Sequence, residues 1–128
     1  MITLSDYYMN RDKEYPTDLT EKIATNAASL LIKVNELLNF FGSTRSVNSG
    51  WRPKAVQMKV NPKAMGSKHI SGDAIDLEDK DGKLKEWCVF NQATLEELGL
   101  YMEHPSATPT WVHLQQVPPA SGNRIFKP

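Results

Sequence analysis

The stretch from Asp18 to Phe41 constrains this chain more than any other. Leu19, Ile23, Ala27, Leu30, Leu31, Val34, Leu37, Leu38 and Phe41 recur at helical spacing, which places them on one stripe of an α-helix. Asp18 with Glu21 three residues later fits a capping box, and Gly42 suits the C-terminal stop. A helix this one-sided must bury its stripe against the rest of the chain. The whole sequence is 128 residues, which is one domain with room for a single core. No repeat, low-complexity tract or linker divides it, so residues 1–128 are read as a single domain.

Beyond Gly42 the pattern shortens. Val47, Ser49 and Trp51 alternate with polar or small residues, predicting a short strand that ends at Arg52-Pro53. A short helix follows Pro53, and Asn61 to Gly66 read as loop. Asp73 to Glu78 read as a strand closed by the turn Asp79-Lys80-Asp81-Gly82. Helices are expected from about Leu84 to Phe90 and around Thr94 to Leu98, with strands at Leu100–Glu103 and Trp111–Gln115. The tail from Pro118 is irregular, with Arg124-Ile125-Phe126 pinned to the domain. Helices and strands do not alternate regularly, so the fold class is α+β, a small and largely antiparallel sheet with flanking helices.

Charge and cysteine content exclude several classes. Lys plus Arg and Asp plus Glu are equal at 15 each. A general nucleic-acid or anionic-membrane binder needs a basic surplus to displace counterions. The one cysteine, Cys88, rules out an internal disulfide and a Cys-rich structural metal site; it reads as a small buried residue on a helix face. No apolar run is long enough to span a membrane. Asp6, Arg11, Asp12, Lys13 and Glu14 occupy the region where a secretory signal needs an apolar stretch. The expectation is a monomer made without a signal peptide.

The chemistry concentrates in Ser67-Lys68-His69-Ile70-Ser71-Gly72-Asp73-Ala74-Ile75-Asp76. If the strand starts near Asp73, the loop bent at Gly72 can fold His69 back beside Asp76. His113, in the strand-like Trp111-Val112-His113-Leu114-Gln115, supplies a second imidazole. Two imidazoles and a carboxylate leave one zinc position open, the pattern of a catalytic rather than a structural site. From residue types alone, the same three side chains also fit surface or hydrogen-bonding roles.

Four segments in order carry a resemblance: Ser49-Gly50-Trp51-Arg52-Pro53, the segment Ser67 to Leu77, Gly99-Leu100-Tyr101-Met102-Glu103, and Trp111 to Gln115. Together they resemble the peptidase M15 group of zinc D-alanyl-D-alanine carboxypeptidases and phage or bacterial peptidoglycan endopeptidases. The resemblance covers residues 49 to 115, about half the chain, and its specific part is the S-x-H-x-x-G-x-A-x-D pattern. The fold it implies is the hedgehog/DD-peptidase type. The implied cofactor is one Zn2+ held by His69, Asp76 and His113, and the implied substrate is the peptide part of peptidoglycan. The compact form looks most like members encoded by phages and prophages, acting on the wall after release or as part of a virion.

The resemblance assigns Arg52 to the developing oxyanion, where a fixed cation acts on transition-state charge. Ser67 matches a serine that hydrogen-bonds substrate or braces the loop. Better-known members carry an acid three positions before the last histidine; here that position is Thr110. Glu103 is the closest substitute as general base, provided Leu100–Glu103 and Trp111–Gln115 form a hairpin that brings it to His113. Trp51 and Tyr101 flank the motifs and are candidates for the wall of a substrate groove, with core packing as the plainer reading. The missing acid at Thr110 leaves a second possibility, a non-catalytic zinc-binding module of a phage particle.

Overall fold

A computed structural model describes residues Met1–Pro128. The chain runs α1 (Leu4–Tyr8), α2 (Arg11–Glu14), α3 (Glu21–Phe41), β1 (Val47–Ser49), α4 (Lys54–Val60), β2 (Ala74–Glu78), α5 (Lys83–Phe90), α6 (Gln92–Leu98), β3 (Tyr101–Glu103), β4 (Trp111–Gln115) and β5 (Ile125–Phe126). The five strands form one sheet in the order β1-β2-β4-β3-β5. Three pairings are antiparallel and β3 with β5 is parallel, so the class is α+β as expected.

The long helix is α3, and its stripe of Ala27, Leu30, Leu31, Val34, Leu37 and Leu38 is buried. It starts later than its sequence suggests. Thr20, not Asp18, is the N-cap, and its side chain accepts from the Ile23 amide. Both residue types cap well; here Asp18 closes a separate turn through its own amide to the Tyr15 carbonyl. Gly42 ends the helix in the left-handed conformation, as foreseen.

The α3 stripe packs on one face of the sheet. Strand alternation sends Ile75 and Leu77 of β2, Met102 of β3, and Val112 and Leu114 of β4 into that core. Leu84 and Cys88 of α5 and Leu95 of α6 close it from the side. Cys88 is wholly buried, which pushes its thiol up to about 12. That fits a packing role.

The N-terminal helix α1 completes the core with Tyr7 and Tyr8, and it has no periodic signal. Tyr7 of α1 is fully buried and its hydroxyl donates to the Ala74 carbonyl at 2.8 Å. A Cβ on Gly50 would meet the Tyr7 carbonyl at 1.9 Å, so only glycine lets the segment after β1 lie against α1. No helix is long and apolar enough to cross a membrane.

Candidate metal centre

The strand alternation that buries Ile75, Leu77, Val112 and Leu114 sends their neighbours to the opposite face. There Asp76 of β2 stands directly across from His113 of β4. Continuing the ladder one step from Met102↔Leu114 puts Glu103 of β3 beside His113 on its other side. Ser49 of β1 pairs with Asp76, and Phe126 of β5 pairs with Glu103. Adjacent strands therefore lay Ser49, Asp76, His113, Glu103 and Phe126 in one row.

His69 joins the row from the loop between α4 and β2. Gly72 bends that loop at φ +80°, and a Cβ there would meet the Ile23 carbonyl at 2.8 Å. The His69 carbonyl accepts from the Arg52 amide, and the Ile70 carbonyl accepts from the Trp51 indole. Ser67 braces the same loop by accepting from the His69 amide at 3.3 Å. Asp73 holds Ser71 and Gln116, not a ligand imidazole.

His69, Asp76 and His113 expose only 2%, 8% and 9% of their surfaces, and one ligand atom from each lies within 4.8 Å of the others. Their outer contacts settle which atoms face inward. His69 Nδ1 donates to the Gly50 carbonyl at 2.8 Å, because a carbonyl can only accept. Its Nε2 then points at Asp76 Oδ1, 3.3 Å away. His113 Nε2 faces Gln115 Oε1 at 2.8 Å, and the Gln115 amide donates to the Val117 carbonyl at 2.7 Å. His113 Nδ1 is therefore the inward atom, 2.9 Å from Asp76 Oδ1.

With both imidazoles neutral, three acceptor atoms converge with no donor between them. Such a set needs a cation, either a proton or a metal. Two imidazoles and a carboxylate, each imidazole backed by an acceptor, are what zinc and similar divalent ions take. The residues fit a resident metal.

The charges follow the same geometry. Burial alone raises the Asp76 carboxyl, but hydrogen bonds from His113 and His69 outweigh it and hold the group well below the usual carboxylate range. Burial pushes His69 down, favouring its neutral, metal-binding form. Burial also opposes charge on His113, yet the Asp76 carboxylate, with Gln115 and Glu103, holds it above the ordinary imidazole value. Glu103 is pushed up, first by burial and then by the Asp76 charge, against the pull of His113.

A cleft of about 830 Å³ opens over these groups, bordered by Arg52, Ser67, Glu103, Trp111 and Gln115 among others. Glu103 Oε2 lies 3.8 Å from His113 Nδ1, so the hairpin does bring it to the site. Thr110 sits just before β4 and its carbonyl accepts from the Asp79 amide. Arg52 is clamped by Ser49 Oγ at 2.8 Å, Gln57 Oε1 at 3.1 Å and Asp76 Oδ2 at 3.2 Å. It orients the Asp76 carboxylate as well as bordering the cleft.

Two expected groove residues lie elsewhere. Trp51 is completely buried, edge-on to Tyr8 and bonded to Ile70, so it supports the loop from beneath. Tyr101 shares the Glu103 face but is covered by the Arg124 guanidinium at 4.1 Å and does not border the cleft. Trp111 is the aromatic that does. His104 turns away and accepts from the Ser106 amide. A groove of about 910 Å³ on the far side, between Met1–Leu4 and α3, contains none of these groups.

Gly50, Gln57 and Gln115 went unnoticed in the sequence. Gln115 lies two residues after His113, on the same strand face, and that spacing is the one local signal that could have found it. No curated protein and no solved structure matches the chain. Residues 9–115 match a family model described as Peptidase M15, and that span holds Arg52, Glu103, Gln115 and the His69–Asp76–His113 set. The chain belongs to the peptidase M15 family.

Proposed function

We propose that this chain is a zinc-dependent peptidase that hydrolyses an amide bond in the peptide part of bacterial peptidoglycan. The observation that carries the reading is the row Asp76–His113–Glu103, completed by His69 and set in an open cleft of an M15-family domain. His69 Nε2, Asp76 Oδ1 and His113 Nδ1 would hold the zinc. Bound there, the ion supplies Lewis acidity, polarising a carbonyl and acidifying a water.

The protein's own groups do the rest. Glu103 borders the cleft beside His113, and its raised pKa moves it toward the range in which a carboxylate both takes and returns a proton near neutrality. It removes the proton of the attacking water and delivers it to the leaving amine. Arg52 keeps two of its five N–H donors uncommitted after its bonds to Ser49, Gln57 and Asp76. Those donors, on a cation that cannot swing away, stabilise the negative charge that grows on the carbonyl oxygen. Ser67, at the cleft edge, is positioned to hydrogen-bond the substrate backbone while bracing His69.

The test is fragment release. Zinc-loaded protein is incubated with purified peptidoglycan, with chelator, and with chelator followed by zinc. New amine and carboxyl ends, identified by mass spectrometry, are expected in the first and third samples. Fully zinc-loaded protein that releases no fragment refutes the reading. The proximity of Glu103 to His113 favours catalysis over the non-catalytic alternative that Thr110 left open.

A further inference from the structure

His69 is the one ligand that does not stand on the sheet, and its loop is gripped from the side away from the cleft. Strand alternation turns Gln115 toward the metal centre and Gln116, the next residue, toward α3. There the Gln116 amide fills all of its hydrogen-bonding positions. Its Oε1 accepts from Ser29 Oγ at 3.1 Å and from Lys33 Nζ at 3.0 Å. Its Nε2 donates to the Asn26 carbonyl and to Asp73 Oδ1, both at 2.9 Å. An ammonium can only donate and a carbonyl can only accept, so this amide has one orientation.

The grip reaches the loop through Asp73 and Asn26. Asp73 is buried, and its Oδ2 accepts from the Ser71 hydroxyl at 2.6 Å. The Asp73 amide donates to the Lys68 carbonyl at 2.9 Å, which closes the loop on both sides of His69. Asn26 Nδ2 donates to the Ser71 carbonyl at 3.0 Å. Asn26, Ser29 and Lys33 follow one another at helical spacing beside the apolar stripe of α3. A polar network with every member satisfied specifies one arrangement of the backbone it holds. The side chains of Gln116, Asp73, Ser71 and Asn26 do not border the cleft, so contact with a substrate does not account for them.

We infer that Gln116 is a positioning residue for His69: it ties the loop carrying that ligand to the long helix, so that the imidazole is in place before a metal arrives. Two neighbouring glutamines then set the two histidines from opposite faces of the sheet. Gln115 holds His113 from the cleft side, and Gln116 holds the His69 loop from the helix side. A ligand fixed in advance avoids the ordering cost that binding would otherwise carry. This role rests on the metal-binding part of the proposed function and is independent of the substrate.

Two measurements test it. The first follows solvent exchange of the His69 Nδ1 proton in zinc-free protein by NMR, since the Gly50 carbonyl holds that proton at an N···O distance of 2.8 Å and local opening releases it. The second is zinc affinity by competition with a fluorescent chelator. Gln116→Leu keeps the bulk and removes the bonds. It should speed the exchange and weaken zinc binding, each about tenfold, the lower end of what loss of a group behind a metal-binding histidine costs. Asn26→Ala releases the Ser71 carbonyl while favouring the helix, and should move both readouts the same way by less. Leu84→Ala, which opens a cavity in the core on α5 outside these contacts, should lower thermal stability and leave both readouts near wild type. Exchange and affinity unchanged in both Gln116→Leu and Asn26→Ala, or shifted equally by Leu84→Ala, overturn the positioning role. Wild type that binds no zinc overturns the metal reading alone, because exchange in the zinc-free proteins still decides the role of Gln116.

Discussion

Removing the acceptor behind His113 separates a metal centre from an ordinary buried ion-pair cluster. Gln115 is 5% exposed, and its amide is locked between the Val117 carbonyl at 2.7 Å and His113 Nε2 at 2.8 Å. The Val117 oxygen can only accept, so the amide cannot flip and Oε1 must face the imidazole. That contact holds the hydrogen on Nε2 and turns Nδ1 toward Asp76 Oδ1 at 2.9 Å. Gln115→Leu keeps the volume but leaves the Nε2–H of the buried His113 without its protein partner. A buried donor so orphaned costs about 1–3 kcal/mol. Loss of an outer hydrogen bond to a metal-binding histidine typically lowers metal affinity about 10–100-fold. These agree, since each factor of ten is about 1.4 kcal/mol. The assay is competition for zinc against a fluorescent chelator at fixed pH, run beside thermal unfolding of the zinc-free protein. Gln115→Leu should lose about 10–100-fold in zinc affinity, while Gln115→Glu, which keeps an acceptor, should hold most of it. Nitrogen chemical shifts of zinc-loaded wild type should report the Nε2–H tautomer of His113. An unchanged zinc affinity in a folded Gln115→Leu protein refutes the reasoning.

Three further outcomes follow from the same geometry. Glu103→Gln should cut turnover of peptidoglycan fragments about 10²–10⁴-fold with zinc content unchanged; if zinc is lost in parallel, Glu103 positions a ligand instead of moving a proton. Arg52→Ala removes the partner of Asp76 Oδ2 at 3.2 Å and should lower turnover about 10²–10³-fold. Arg52→Lys, which keeps the charge without the planar fork, should recover only part of that activity in the same kinetic assay. Zinc affinity should rise with pH across neutrality. His113 is held above the ordinary value of 6.5, so its proton is fully bound below that value and is lost as pH climbs through the raised one. Zinc must displace that proton at lower pH, which costs about tenfold in affinity per unit below the raised value. A zinc affinity that is flat from pH 6 to pH 8 would contradict the assignment of His113.

The parts of the fold legible in the sequence are those whose signal is local and repeated. α3 shows an apolar stripe long enough to stand out, and β2 and β4 show alternation bounded by turn residues. α1 has five residues, too few for a period, and its buried Tyr7 and Tyr8 declare themselves only against Trp51 and α3. The cap of α3 was misread because Asp18 and Thr20 are both good cap formers, and the choice between them depends on how the preceding turn closes. The face of an aromatic beside a motif is equally illegible. Trp51 and Trp111 both flank functional residues, but only the packing of α1 against Gly50 sends Trp51 inward.

The site was legible to the extent that it is carried by residue types in a fixed order, and illegible where it is carried by register. His69, Asp76 and His113 stand in a pattern that chemistry can interpret. Gly50, Gln57 and Gln115 are ordinary residues whose roles arise from contacts made across strands and loops. Register is also what makes the centre all or nothing. A one-residue slip of β4 against β2 would turn His113 into the apolar core and bring Leu114 out over Asp76. The core face forbids that slip, because it would expose Val112 and Leu114 while burying a histidine. The α3 stripe therefore does more than close the domain. By demanding Ile75, Leu77, Val112 and Leu114 on its side of the sheet, it obliges Asp76 and His113 to meet on the other. His69 alone arrives from a loop, through the Gly50 carbonyl and the Arg52 amide, so a bound metal links a loop to a sheet that is already in register.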